Sequence, residues 1–481
     1  MKPEIKKTSQ FYADLHCHSA LKPYGRSFVC NKINSHNAKD KNSLFYYDPP
    51  TALDKLLNIS STITKFSQTG MPALLNGNVK LVGTSLYPIE KNFFSGRLGT
   101  GCITDALSNF VTGVGRERVE FVQQNIDYFK DLLDEYNFYE QLNGSIIHIN
   151  GRKLRYGLVR DAGEIEGNLN DNDIETVSVF FTVEGAHIFN SHANRRPEGF
   201  EILANVYKLK RLNYRPLYIS MGHHFYNEMC GHARSLTGTL GKLLDQTYGV
   251  DTGITTLGFT VIDSLLDNSS NDRILIDVKH MSLQSRKQYY QFIKNKPDVP
   301  IIVSHGAVNG LASFNDIASA TREGNIFNQE DINFFDDEIL KINDSHGIFG
   351  IQLDERRIAD KKMIKKTFFN PCKRRMLFKK SGLIWNQVRH IAELLDKNGK
   401  NAWNLAVIGS DFDGIVDPLN GFWTAEDFPD IAENLLVHAK AYMHSEGKKL
   451  AVPENRHSEP EQIIKNLMSD NVMHFLKEHF H

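Results

Sequence analysis

Eight short runs along the chain are almost continuously apolar and end in polar residues: FYADLH (11–16), VKLVGTSL (79–86), VSVFFTVE (177–184), PLYISMG (216–222), RILIDVK (273–279), VPIIVS (299–304), HGIFGIQL (346–353) and LAVIGS (405–410). An antiparallel strand with one wet face alternates apolar and polar residues, whereas these runs are apolar on both faces, as parallel strands are. Helical periodicity fills several gaps between them, in RERVEFVQQNIDYFKDLLDEY (116–136), LQSRKQYYQFIKN (283–295) and IWNQVRHIAELLDKNG (384–399). Strands alternating with helices make βαβ units, and eight such strands predict an α/β fold, a closed (β/α)8 TIM-type barrel formed by the single domain 1–481.

Two intervals exceed a simple βα connection and read as insertions. Residues 87–176 contain NGSIIHINGRKLRYGLV, which predicts a β-hairpin turning at Asn150-Gly151. Residues 354–404 contain KKMIKKTFFNPCKRRMLFKK, with nine basic residues in twenty and no acid. A solvated insertion accounts for that run more simply than an anion-binding patch. Both insertions are expected on or near the catalytic rim.

Composition narrows the function classes. Lys+Arg number 56 and Asp+Glu 57, so no global field points to nucleic acid or an anionic membrane as partner. No apolar run approaches a membrane span, and the N-terminal MKPEIKKTSQ has no apolar stretch behind it, so a cytoplasmic location is expected. The five cysteines (Cys17, Cys30, Cys102, Cys230, Cys372) are scattered and form no CxxC pair, as suits a reducing compartment.

In a barrel the C-terminal ends of the strands converge on one face, whatever their separation in sequence. Those ends carry His16 and His18, then Glu184, His223, His280, His305 and finally Asp411. Each alone has an ordinary explanation: a chance HxH pair, a strand-end carboxylate, a hydrogen-bonded core histidine, a turn aspartate such as Asp413 beside Gly414. Together they form a coherent set. Residues i and i+2 of a strand point the same way, so His16 and His18 can share one ion, while Cys17 faces the other side as a packed thiol. Four imidazoles and a carboxylate match zinc, and a carboxylate between two ions offsets their repulsion. A water activated by the metals is then the nucleophile, Asp411 the proton carrier and His223 a donor to the developing oxyanion.

The segments ADLHCH, FTVEGAH, YISMGHH, GITTLGFTVIDSLL, ILIDVKHMS, VSHGA and VIGSDFDGI resemble, in the same order, motifs of the membrane (renal) dipeptidase family of the amidohydrolase superfamily. The resemblance covers most of 11–30 and 177–420, with a weaker match in the C-terminal EQIIKNLMSDNVMHFL. It implies two Zn2+ ions: His16 and His18 on one, His280 and His305 on the other, and Glu184 bridging. It also implies His223 on the substrate carbonyl, Asp411 as catalytic acid/base, a dipeptide or similar small amide as substrate, and a possible homodimer.

Three positions depart from the family's pattern. His18 stands where the family has an aspartate, which raises the site's charge by one. The family's S-H-S is S-H-G here, through Gly306. The arginine that binds the dipeptide carboxylate in the family, about eleven residues past that histidine, is replaced by Asp316, leaving Arg322 as the candidate substrate-binding group. The chemistry expected is therefore hydrolysis of a small peptide or peptide-like amide. Two alternatives stand beside it: a PHP-type metal-dependent phosphoesterase, which DLHCHS also resembles but whose closing D-x-H is absent here, and a metal-binding barrel without catalytic activity.

Overall fold

The computed structural model describes residues 11–61, 64–94, 112–236, 241, 244–319, 326–367 and 372–481. Ten strands lie in one sheet: β1 (Tyr12–Cys17), β2 (Val79–Leu86), β3 (Ile147–Ile149), β4 (Arg152–Leu158), β5 (Glu175–Glu184), β6 (Tyr218–Ser220), β7 (Leu275–Asp277), β8 (Ile302–Gly306), β9 (Ile348–Ile351) and β10 (Ala406–Ile408). Eight of them run parallel in the order β1-β2-β5-β6-β7-β8-β9-β10. The ends of that order meet where Asp411 N donates to His16 O and His18 N to Phe412 O, each at 2.9 Å. This is the expected TIM-type barrel.

Each barrel strand sends apolar side chains inward. Ala13, Leu15, Leu81, Phe180, Tyr218, Leu275, Ile302, Ile348 and Val407 form one buried cluster, which Phe475, Leu476 and Phe480 of the C-terminal segment complete. The lower barrel is thus a packed core, and the polar chemistry is confined to the strand ends above it. A second layer of buried carboxylates ties the strands together beneath those ends. Asp277 accepts from Ser220 Oγ (2.5 Å), Ser304 Oγ (2.6 Å) and Ser304 N (3.0 Å), and Asp14 accepts from Ser410 Oγ (2.5 Å) and Ser410 N (2.8 Å).

The hairpin forms where the Asn-Gly pair predicts it, with φ 51° at Asn150 and 78° at Gly151, as a two-residue turn requires. Its second strand extends the sheet, pairing Leu154–Leu158 with Glu175–Val179 in β5. That is the half of β5 away from Glu184, so the hairpin lies at the end of the barrel opposite the predicted site. Other parts of the same interval do reach the site, as shown below.

The single helix expected over 116–136 is two helices, Arg116–Gln124 and Tyr128–Glu140. Asn125 adopts extended backbone, and the Asp127 carboxylate caps the second helix by accepting from Lys130 N (2.9 Å). The helix expected from residue 384 begins earlier, at Lys373, and runs to Lys397. Lys361, Lys365, Lys366, Lys373, Arg374 and Arg375 of the basic stretch are exposed, whereas Lys380 is buried and pairs with Glu355 at 2.5 Å. Among the described residues no helix is long and apolar enough to cross a membrane.

Candidate metal centre

Six strands supply the centre. His16 is the penultimate residue of β1 and His18 follows the strand, Glu184 ends β5, His223 lies three residues past β6, His280 three past β7, His305 sits within β8, and Asp411 three past β10. All seven side chains are buried, and the structure brings them together around Glu184.

Glu184 Oε2 lies 3.0 Å from His18 Nε2 and 3.5 Å from His223 Nε2. Its Oε1 lies 3.2 Å from His280 Nε2, 3.5 Å from His305 Nε2 and 3.8 Å from His16 Nε2. One carboxylate oxygen therefore faces His18 and His223, and the other faces His16, His280 and His305. Asp411 faces it across the centre, with Oδ1 at 3.4 Å from His18 Nε2 and 3.9 Å from His16 Nε2, and Oδ2 at 3.8 Å from His305 Nε2. His280 Nε2 and His305 Nε2 are 3.1 Å apart, and the His16 and His305 rings stack at 4.2 Å.

The donor set fits a metal on its own terms. Both ring nitrogens of His16 and of His18, together with Glu184 Oε1 and His280 Nδ1, are buried without a hydrogen-bond partner among the described residues. Buried polar atoms are ordinarily paired, and the orphaned His16 Nε2, His18 Nε2 and Glu184 Oε1 face the centre, where they call for a ligand that accepts lone pairs. Among the described residues four triads have donor atoms within 4.8 Å of one another: His16–His18–Glu184, Glu184–His280–His305, His16–His305–Asp411 and His223–His224–His280.

The protonation of three of the four imidazoles is consistent with this. Burial lowers the pKa of His16 and of His280 to about 3, and burial beside His16 takes that of His305 well below its ordinary value. All three rings are neutral at pH 7, the form that binds a cation. Burial opposes a charge on His18 too, yet its contacts with Asp411 and Glu184 raise it to about 10. Burial pushes Asp411 up, against the pull of His18.

Two of these residues adopt left-handed backbone, His280 at φ 65° and Asp411 at φ 59°. Such conformations cost about 1–3 kcal/mol in a residue other than glycine and persist where the surroundings impose them. At Asp411 the constraint is its N–H bond to His16 O, which fixes the carboxylate over the barrel mouth. Asp413, two residues on in the same motif, has a structural part. It accepts from Lys22 Nζ (2.5 Å), Thr69 Oγ1 (2.7 Å), Thr69 N (2.8 Å) and Gln68 N (3.0 Å), anchoring the segment before β2.

Four neighbours complete the site that strand-end inspection passed over. Glu90, in the first insertion just past β2, accepts from His223 Nδ1 (2.7 Å), Tyr87 OH (2.9 Å), Phe225 N (3.1 Å) and His224 N (3.2 Å). It turns His223 Nε2 towards Glu184. Burial opposes a charge at Glu90, but the histidines around it hold its pKa well below the usual carboxylate range, and Glu90 and Glu184 raise that of His223. Gln352, just past β9, donates through Nε2 to Asp411 Oδ2 at 2.7 Å. Lys279 is wholly buried between Asp277 and His280. Arg357, in the turn Glu355–Ile358, reaches over from the β9 side, held by Glu330 at 3.1 Å and donating to Ser235 O. Glu90 and Gln352 had a usable signal, since Glu90 lies four residues beyond the run 79–86 and Gln352 near the end of the run 346–353. Arg322 lies outside the described residues.

Gly306 has a steric cause. A Cβ there would stand 2.8 Å from Val303 Cγ1 and 3.0 Å from the Phe334 ring, so the ring occupies the space a serine would need.

No protein-family model and no curated protein sequence matches the chain. Solved structures do. One is a dipeptidase described as a metallopeptidase of family M19, at 12% identity and a TM-score of 0.52, covering 98% of this chain and 99% of that one. Another is a metallopeptidase from Rhodobacter sphaeroides bound to a phosphinate mimic of the dipeptide L-Ala-D-Ala, at 12% identity and a TM-score of 0.53, covering 98% of this chain and all 100% of that one. At this identity the likeness is one of fold: from end to end, this chain has the barrel architecture on which those metallopeptidases are built.

Proposed function

We propose that the protein is a binuclear zinc-dependent hydrolase that cleaves a small peptide or peptide-like amide, in the manner of the membrane dipeptidase family its motifs resemble. The observation that supports this best is Glu184, a buried carboxylate with His18 at one oxygen and His16, His280 and His305 around the other, which has no hydrogen-bond partner among the described residues. His16 and His18 would hold one Zn2+, His280 and His305 the other, and Glu184 both. When bound, the ions would supply an acidified water as nucleophile and polarise the scissile carbonyl.

The chain's own residues account for the rest. Asp411 sits within 4 Å of both imidazole pairs, at 3.4 Å from His18 and 3.8 Å from His305, where it can take a proton from the nucleophile and return it to the leaving amine. Burial favours its protonated form and the Gln352 amide fixes its orientation, as a proton carrier needs. His223, turned inward by Glu90, presents Nε2 to the same volume and would donate to the carbonyl oxygen as negative charge develops on it. The overall likeness to a metallopeptidase that binds a dipeptide mimic favours an amide substrate over a phosphoester. Arg322 keeps its assignment as a substrate contact on sequence grounds.

The test is a hydrolysis screen with added Zn2+ over dipeptides of both stereochemistries, N-acyl amino acids and simple phosphoesters. Turnover of amides with phosphoesters untouched is expected. Phosphate release without amide cleavage would assign the site to a phosphoesterase, and inactivity on every substrate by zinc-loaded protein would contradict an enzyme of this kind.

A further inference from the structure

His224 follows His223 in the loop after β6, and the two-ion reading gives it no part. The loop nevertheless holds it as firmly as its neighbour. Glu90 grips both residues, accepting from His223 Nδ1 on Oε2 at 2.7 Å and from the His224 backbone N–H on Oε1 at 3.2 Å. The His224 carbonyl accepts from Gln246 Nε2 at 2.7 Å, and its Nδ1 lies 2.6 Å from Ser235 Oγ. The ring packs against His223 at a centroid distance of 3.8 Å, against Phe93 at 5.1 Å and against His280 at 5.5 Å. His16, His18, His223, His280 and His305 are buried, whereas His224 is partly exposed and stands on the solvent side of the cluster.

The surrounding hydrogen bonds assign its protons. Gln246 Oε1 accepts from Leu236 N at 2.8 Å, which fixes the amide with Nε2 as the donor to Ser235 Oγ at 2.9 Å. A hydroxyl that accepts from that amide keeps its own proton to give, and His224 Nδ1 is there to accept it. A neutral imidazole whose Nδ1 accepts carries its proton on Nε2, and a charged one carries a proton on both nitrogens. In either form His224 Nε2 is a donor. So assigned, the ring has no free lone pair for a metal.

A target for that donor lies close by. A ring nitrogen of His224 is within 4.8 Å of one of His223 and of one of His280. Two nitrogens at such a separation can both reach a single oxygen at about 2.9 Å each, as paired donors of an oxyanion hole do.

We infer that His224 is a second hydrogen-bond donor to the substrate, joining His223 in a two-imidazole cradle around the carbonyl oxygen as it becomes an oxyanion. Glu90 is the positioning residue common to both, since one carboxylate orients the ring of His223 and the backbone of His224.

This inference rests on the proposed hydrolase reading, and its test sets kinetics beside equilibrium binding of a phosphinate dipeptide mimic, whose tetrahedral oxygens stand in for the oxyanion. His224→Phe keeps the ring packing and lacks the donor. In zinc-loaded protein it should lower kcat by about 10^2-fold and weaken phosphinate binding by a comparable factor in calorimetric titration, with KM and zinc content close to wild type. His224→Gln, whose amide nitrogen can take the place of Nε2, should restore most of both losses. Unchanged kcat and phosphinate affinity in His224→Phe overturn the inference. Equal losses in His224→Phe and His224→Gln overturn it too, because His224 is then a packing residue, and loss of a zinc ion in His224→Phe overturns it in favour of a metal ligand. If His224→Phe does not fold, Ser235→Ala decides. That variant releases the tautomer, so kcat and phosphinate affinity should fall with zinc content kept, and wild-type values of both overturn the inference. Amide turnover that is equal in wild type and His224→Phe refutes this inference alone. Zinc-loaded wild type that neither hydrolyses amides nor binds the phosphinate refutes the hydrolase reading and this inference with it.

Discussion

Two buried polar clusters lie within a few residues of each other and differ in one respect. Behind the strand ends, Arg286 and Glu338 are both fully buried. Arg286 Nε donates to Glu338 Oε1 at 2.8 Å and Nη2 to Oε2 at 3.2 Å and to Asp331 O at 2.8 Å, while Tyr290 OH and Phe335 N supply Glu338 with further donors. The guanidinium also lies over the Phe334 ring, 4.9 Å from its centroid. In that cluster the ionic groups answer one another. Around Glu184 the imidazoles gather at a common volume, and both ring nitrogens of His16 and of His18, with Glu184 Oε1, have no hydrogen-bond partner among the described residues. The first arrangement sets the position of the β7 and β8 loops; the second is poised to bind. Burial and charge are common to both, so it is the accounting of partners that separates a structural cluster from a functional one.

The sharpest way to break this contrast is to remove the shared ligand. Glu184→Gln should cost both metal ions and lower turnover by about 10^4-fold or more, read by elemental analysis beside a hydrolysis assay. Asp411→Asn should keep the metal and lose about 10^2- to 10^4-fold in kcat, the usual worth of a proton carrier. Full activity in that variant would remove Asp411 from the mechanism.

Arg286→Met should do the reverse. Leaving Glu338 buried and unpaired costs about 3–5 kcal/mol of stability by denaturant titration, with metal affinity little changed in the protein that remains folded. The double replacement Arg286→Met with Glu338→Leu should recover most of that loss, because no charge is then stranded.

The smallest expected effect concerns Glu135, a buried carboxyl on the rim helix Tyr128–Glu140 that accepts from Tyr87 N at 2.8 Å. Burial pushes its pKa up to about 7. Since the folded pKa exceeds the unfolded one, the folded state holds a proton that the unfolded chain releases. Its contribution is therefore complete below pH ~4.5 and declines as pH rises to ~7. Glu135→Gln, which keeps the acceptor, should flatten that decline when denaturation midpoints at pH 5 and pH 8 are compared.

Much of this was legible in the chain because parallel barrel strands are apolar on both faces. VKLVGTSL is β2 residue for residue, and the other seven runs each overlap their strand, with ends that differ by a few positions. His16, His18, Glu184, His223, His280, His305 and Asp411 were visible because the C-terminal ends of strands must converge. Glu90 and Gln352 were less visible, since they act on a neighbour's side chain and not on the centre itself. The break at Asn125–Asp127 was hidden by amphipathic periodicity that continues through it, and only the capping aspartate marks it. Lys279 was passed over because a lysine at a strand end ordinarily reaches solvent; what makes it notable is burial, which a single sequence does not display. The hairpin was read correctly as local structure, but its place at the far end of the barrel depends on pairing with β5, a long-range choice.

The most direct test of the central claim is the metal content of purified, zinc-equilibrated protein, measured by mass spectrometry alongside amide hydrolysis. Two zinc ions per chain, lost together with activity on chelation and restored together on adding Zn2+, is the predicted result. A content near zero, with no hydrolysis recovered by added zinc, would contradict it.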